Sequence, residues 1–202
     1  MDKRTLILNA MQELIVEDKG AACTVSDIAI QAGIGKGSIY YYFESKDEIL
    51  DALVERNYGI VIDKCKDIID NSSLPAIDKI RLLFSSYYSS SVENSVDRYL
   101  HEPQNAYIHQ KSLSVILLKI SPILTMIIEQ GIQEKVFNCT YPSEFSELVL
   151  SEFCFIFDPG IFQWSSAQIM CKLRATAEFM ERGLLAPKDS FSFLTDFPLL
   201  YQ

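Results

Sequence analysis

The stretch from Thr24 to Leu50, TVSDIAIQAGIGKGSIYYYFESKDEIL, limits what this chain can fold into more than any other. Thr24 or Ser26 suits a helix N-cap, and Val25, Ile28, Ala29 and Ala32 recur at helical spacing until Gly33 breaks the run. After Gly33, Ile34 and Gly35 a further helix starts near Lys36 or Gly37, and its Ile39 and Phe43, four residues apart, share one face. A helix over residues 3–18 precedes them, with Ile7, Ala10 or Met11, and Leu14 forming an apolar stripe and Gly20 marking its end. The pattern predicts three helices around one small core, with a glycine-containing turn between the last two.

A helical wheel separates the consecutive tyrosines of the third helix. At about 100° per residue, Tyr41 falls opposite Ile39 and Phe43. Gly37 lies one turn before Tyr41 on the same outer face, flanked by Tyr40 and Tyr42. Partial burial of the rings accounts for some of this, but not for the glycine. Glycine costs about 1 kcal/mol in a helix relative to alanine, so its place on an outer face makes sense if another surface approaches the backbone there.

Ser45 can cap a fourth helix from Lys46 to Asp70, about 36 Å long, with Ile49, Leu50, Leu53, Ile60, Val61 and Ile68 along one side. It is the natural mechanical link between an N-terminal unit and the rest. Helices are expected at 76–90, 103–119, 121–135, 143–157 and 167–185, separated by a polar segment around SSYYSSSVENS, the turn NCTYPS and the breaker Asp158-Pro159-Gly160. Nothing reads as a strand. The apolar tail KDSFSFLTDFPLLYQ is expected to pack on its own domain or on a partner subunit. The fold class is all-α, about nine helices, divided into an N-terminal three-helix domain (1–48) and a helical C-terminal domain (49–202).

Composition excludes several alternatives. An apolar fraction of 49% with 22% charged residues fits a folded chain. No N-terminal signal peptide is visible, and apolar runs such as 115–118 and 153–157 fall short of the roughly 18 residues of a membrane span, so no membrane partner and a cytoplasmic location are expected. Five cysteines without a CxxC pair point to reduced, mostly buried thiols, and His101 and His109 lack a carboxylate or thiol at ligand spacing, so neither a metal nor a cofactor is expected. A net charge of −9 argues against coating nucleic acid nonspecifically. Residues 1–50 hold five bases and eight acids, so any nucleic-acid contact must be local. No nucleophile elbow, phosphate-cradling loop or paired-carboxylate motif supports an enzyme.

Helix, short glycine turn, helix, on a supporting helix, is the helix-turn-helix arrangement, whose second helix enters the DNA major groove. The segment resembles the DNA-binding domain of TetR-family transcriptional repressors, through Thr24, Ile28-Ala29, Ala32-Gly33, Gly37, Tyr40, Phe43, Lys46 and Leu50 at the family's spacing. The resemblance implies that Gly37 and Tyr40 meet base edges or thymine methyls, while Tyr41, Tyr42 and Lys46 hold phosphates. It implies that Thr24 and Val25 offer amides and a hydroxyl to phosphate, as a helix N-terminus can. Lys36 and Ser38 are further candidate contacts. Hydroxyls and helix-end amides can hold phosphates in a net acidic domain, with a modest salt dependence.

Beyond residue 50 the resemblance is architectural. It implies a homodimer joined by the last two long helices of each subunit, reading a pseudo-palindromic operator. Leu148, Phe153, Phe155 and Ile156 on the first, and Leu173, Ala177, Met180 and Leu184 on the second, are candidates for that interface, with internal packing as the alternative. It also implies a small-molecule effector inside the C-terminal domain. Phe84, Tyr87, Tyr88, Tyr99, Tyr107, His109, Met126 and Trp164 are the candidate pocket residues, and their aromatic character favours a planar or lipophilic ligand. Control by a protein partner, or action as an activator, is the alternative.

Overall fold

Three of the first four helices start where a side chain takes up a free amide; the third, which follows Gly35, has no such cap. Asp2 accepts from the Arg4 amide at 2.7 Å and the Thr5 hydroxyl at 3.0 Å, and α1 (Lys3–Val16) follows, burying Ile7, Leu8, Ala10, Met11, Leu14 and Ile15. Its end differs from expectation. The helix stops at Val16, and Asp18, not Gly20, takes the left-handed conformation (φ 57°), which aspartate tolerates. Gly20 is needed for another reason: a Cβ there would lie 2.7 Å from the Ile15 side chain and 3.0 Å from the Tyr99 ring.

α2 (Val25–Gln31) is capped by Thr24 in a full capping box with Asp27. Gly33, at φ 66°, closes it. α3 (Lys36–Tyr40) is shorter than the helical wheel assumed, but Tyr41 keeps right-handed helical angles (φ −74°, ψ −27°), and the Tyr42 and Phe43 amides both donate to the Ile39 carbonyl at 2.9 Å. α4 (Lys46–Asp70) begins with the Glu48 amide donating to the Ser45 hydroxyl at 3.1 Å.

This is a computed structural model, and it describes residues 2–70, 73–92 and 95–196, without the side chains of 68–70, 88–92 and 95. The chain forms two compact units. The first holds Met1–Ile60 and Asn94–Val115. In it, Arg56 of α4 donates to Asn9 Oδ1 at 2.8 Å and Gln12 Oε1 at 2.7 Å on α1. α6 (Ser95–Leu100) is tied to α4 by Tyr58 donating to Asp97 at 2.9 Å, and the first turns of α7 (Ala106–Gln133) by Lys111 donating to Asp51 at 2.7 Å.

The second unit holds Val61–Glu93 and Ile116–Gln202. It contains α5 (Ala76–Val92), the rest of α4 and α7, α8 (Pro142–Phe155), α9 (Ser166–Leu184) and a 3-10 turn at Ser192–Asp196. α5 runs past the expected fray, and α6 lies in a segment expected to be loop. The expected pair of helices on either side of residue 120 is a single helix, α7, running through Pro122. Proline removes one hydrogen bond and crowds the carbonyl four residues earlier. Pro122 and Leu118 are both exposed, so water can serve that carbonyl, while buried Ile116, Ile120, Ile123, Leu124, Ile127 and Ile128 hold the helix across the break.

The span 103–133 is also long and apolar enough to cross a membrane by length and composition, contrary to the shorter runs counted in the sequence. Its buried isoleucines and leucines account for that apolarity as core. Phe191, Phe193 and Leu194 of the C-terminal segment are buried, Phe191 facing Phe137 with ring centroids 6.0 Å apart. Its last six residues lie outside those described. Among the described residues there is no strand.

Candidate nucleic-acid interface

The inward face of α3 is anchored by Ile39 and Phe43, which are 1% and 3% exposed. What remains outside is Lys36, Gly37, Tyr40 and Tyr41, the last 84% exposed. Tyr42 is half-buried and meets Tyr41 edge to face with ring centroids 5.0 Å apart, which fixes the direction of the exposed ring. A Cβ at Gly37 would touch nothing within 4 Å. The fold therefore does not need glycine there, and any steric demand for it comes from outside the chain.

Thr24 and Val25 sit at the start of α2, but the Thr24 side chain is already engaged. Its amide and hydroxyl donate to the Asp27 carboxylate at 2.8 and 2.7 Å. The Thr24 amide first, and then its hydroxyl, hold the Asp27 carboxyl below its ordinary value near 3.8. A carboxylate thus stands at this helix end beside any incoming phosphate, leaving the amides of Val25 and the next residue as the available donors. Lys46 donates to the Ala21 carbonyl at 2.9 Å and retains two further N–H groups, so it braces the turn before α2 while still offering charge.

Two cations beside this face carry no signal in the local sequence pattern. α1 brings Lys3 Nζ to 3.4 Å from Ser38 Oγ on α3. It also brings the Arg4 guanidinium to 5.3 Å above the Phe43 ring. The pairs are 35 and 39 residues apart in sequence, so only the packing of α1 on α3 reveals them.

The candidate pocket residues are not gathered in one place. Phe84 and Tyr87 line an apolar cavity in the second unit together with Leu83, Ile116, Ile120, Leu150, Phe153 and Cys154. Its void is only about 20 Å³, room for about one water. Burial pushes the Cys154 thiol up to about 12. Tyr99, Tyr107 and His109 belong instead to the first unit. Burial there pushes the Tyr99 phenol up to about 12, Tyr107 is exposed beneath Lys111, and His109 packs edge to face on His101. Met126 is exposed, and Trp164 donates to the Ile156 carbonyl at 2.8 Å under Lys172, neither lining the cavity. Tyr88 lies outside the described side chains.

The candidate dimer residues divide by burial. Leu173, Ala177, Met180, Leu184 and Phe153 are buried within one chain, so internal packing accounts for them. Ile156 is half-buried. Leu148 and Phe155, 63% and 53% exposed and seven residues apart, share a face of α8, and Phe179 of α9 is also exposed.

This geometry, a rigid helix pair presenting a small, hydroxyl-bearing outer face, defines a helix-turn-helix DNA-binding regulator. Residues 7–53 match the family described as bacterial regulatory proteins, tetR family, and residues 89–179 match the one described as tetracyclin repressor-like, C-terminal domain. The chain belongs to the TetR family of transcriptional regulators.

It is 31% identical over 131 residues to the fatty acid metabolism regulator protein of Bacillus subtilis (strain 168), covering 63% of this chain and 66% of that one. It is 33% identical over 86 residues to the uncharacterised helix-turn-helix transcriptional regulator YvaF of the same organism, covering 43% and 44%. In both cases the match spans less than two thirds of the relative's length. The crystal structure of the fatty acid degradation regulator FadR from Bacillus halodurans shares the fold, with a TM-score of 0.59, 18% identity and coverage of 96% of this chain and 95% of that one.

Proposed function

We propose that the protein is a ligand-responsive repressor that binds a pseudo-palindromic operator as a homodimer and is released by a small lipophilic molecule. Residues 1–48 bind DNA in the cytoplasm, and residues 49–202 bind the effector and join the subunits. The observation that carries this is the outer face of α3, where Gly37 and Tyr40 offer close approach to base edges and Tyr41, Tyr42, Lys36, Ser38 and Lys46 offer phosphate contacts. Leu148 and Phe155, exposed on one face of α8, are the apolar surface proposed for pairing, and one recognition helix reads too few bases alone.

The effector site is the cavity among α5, α7 and α8. Its walls are apolar, and its small void means that a ligand must spread those helices to enter. α7 carries Ile116 and Ile120 in the cavity wall and, farther toward its start, Lys111 bonded to Asp51 of α4. Displacement of α7 is the route by which effector binding tilts α4 and takes the recognition helices out of register. The fatty acid regulator among the relatives makes acyl chains the first compounds to test.

The test is anisotropy of a fluorescent duplex carrying the protein's own upstream region, titrated with protein and then with long-chain fatty acids and planar aromatics. Saturable binding reversed by one of these classes is expected. Binding that no lipophile reverses would favour control by a protein partner, and absence of any DNA binding would sink the proposal.

A further inference from the structure

Lys3 stands at the first turn of α1, exposed, with its ammonium donating to the Ser38 hydroxyl of α3 at 3.4 Å. Its partner is a neutral hydroxyl, so the charge is not cancelled there. Lys19, by contrast, is paired with Glu17 at 2.6 Å. The adjacent Asp2 carboxylate is committed to the α1 N-terminus through the Arg4 amide and the Thr5 hydroxyl. Arg4, held over the buried Phe43 ring, keeps this turn against α3.

A hydroxyl that accepts from a lysine still has its own proton to donate. An anion placed beside Ser38 therefore receives an O–H that the ammonium polarises, and lies close enough for direct contact with the ammonium itself. A Cβ at the neighbouring Gly37 would meet nothing within 4 Å.

We infer that Lys3 and Ser38 together hold one phosphate of the operator backbone, so that α1 and α3 grip the DNA jointly. This rests on the operator-binding reading above. Because the contact is to backbone, it positions the recognition helix without reading sequence. In a domain short of cations, one such contact is a large share of the electrostatic attachment.

The test uses the full chain and a duplex enriched by it from a random-sequence pool, with binding measured across salt concentrations. Lys3→Gln should weaken binding roughly three- to tenfold near 0.1 M salt and lower the log–log salt slope by about one, on specific and unrelated duplexes alike. Lys3→Arg should keep most of the affinity. Ser38→Ala should cost much less in the Lys3→Gln background than alone, because the two groups share one phosphate. Lys188→Gln removes the same formal charge outside the helix-turn-helix and should leave the slope unchanged. Unaltered slope and affinity in a folded Lys3→Gln, or an equal change in Lys188→Gln, overturns the inference. If the unaltered protein enriches no duplex at all, the operator reading falls first and this falls with it.

Discussion

At Gly37 the fold and the proposed function make opposite demands. The position is open, so Gly37→Ala meets no clash inside the chain and gains helix propensity of up to about 1 kcal/mol. The expected outcome is an unchanged or slightly raised melting temperature together with clearly weaker operator binding. Unimpaired operator binding by that variant would show that nothing approaches the backbone closely there. A second residue-level prediction concerns the α2 cap. The Asp27 carboxyl is held below its unfolded value near 3.8, so its contribution to stability is essentially complete from about one pH unit above that value and is lost as pH falls through the lower folded value. Thr24→Ala removes the hydroxyl bond and should move the carboxyl titration of Asp27, followed by NMR, back toward 3.8, though not fully, because the amide at position 24 remains a donor.

Among the elements, what was legible in the sequence was what short-range chemistry decides. An N-cap at Thr24 or Ser26 and the break at Gly33 place α2, where the structure selects Thr24 and adds Asp27, and Ile39 with Phe43 orient α3 correctly even though the regular helix ends at Tyr40. Pro122 misled because proline's cost depends on whether the freed carbonyl is wet, which the local pattern does not record. The stripe Leu173, Ala177, Met180, Leu184 has the same period whether it faces its own core or a second subunit, and the structure gives it to the core. The aromatics of the C-terminal half scatter over two units because burial of a ring needs only some core, not a shared one. Lys3 escaped notice since its neighbour on α3 is 35 residues away.

The exposed pair on α8 carries the element-level prediction. Changing both Leu148 and Phe155 to glutamate should leave helix content and thermal unfolding of the chain nearly unchanged, because neither side chain is buried in it. Sedimentation should then report a monomer for the double variant and the proposed dimer for the unaltered protein. A double variant that remains fully dimeric would move the interface off this face.

For the whole molecule, acidity and DNA binding can coexist through the local attachment proposed above. A chain of net charge −9 cannot rely on a broad cationic field, so its affinity must come from hydroxyls, helix-end amides and a few placed lysines. Binding should therefore fall gently with salt, and the gap between specific and nonspecific affinity should be wide. The outer face of α3 is proposed to read DNA sequence. Enrichment of duplexes from a random pool by the unaltered protein and by Tyr40→Ala tests it most directly. A pseudo-palindromic site, with half-sites about one helical turn apart, is expected from the unaltered chain, and the variant should lose it or change it at specific base positions. Recovery of the same site with the same base preferences by both proteins, or of no site by either, would contradict that proposal.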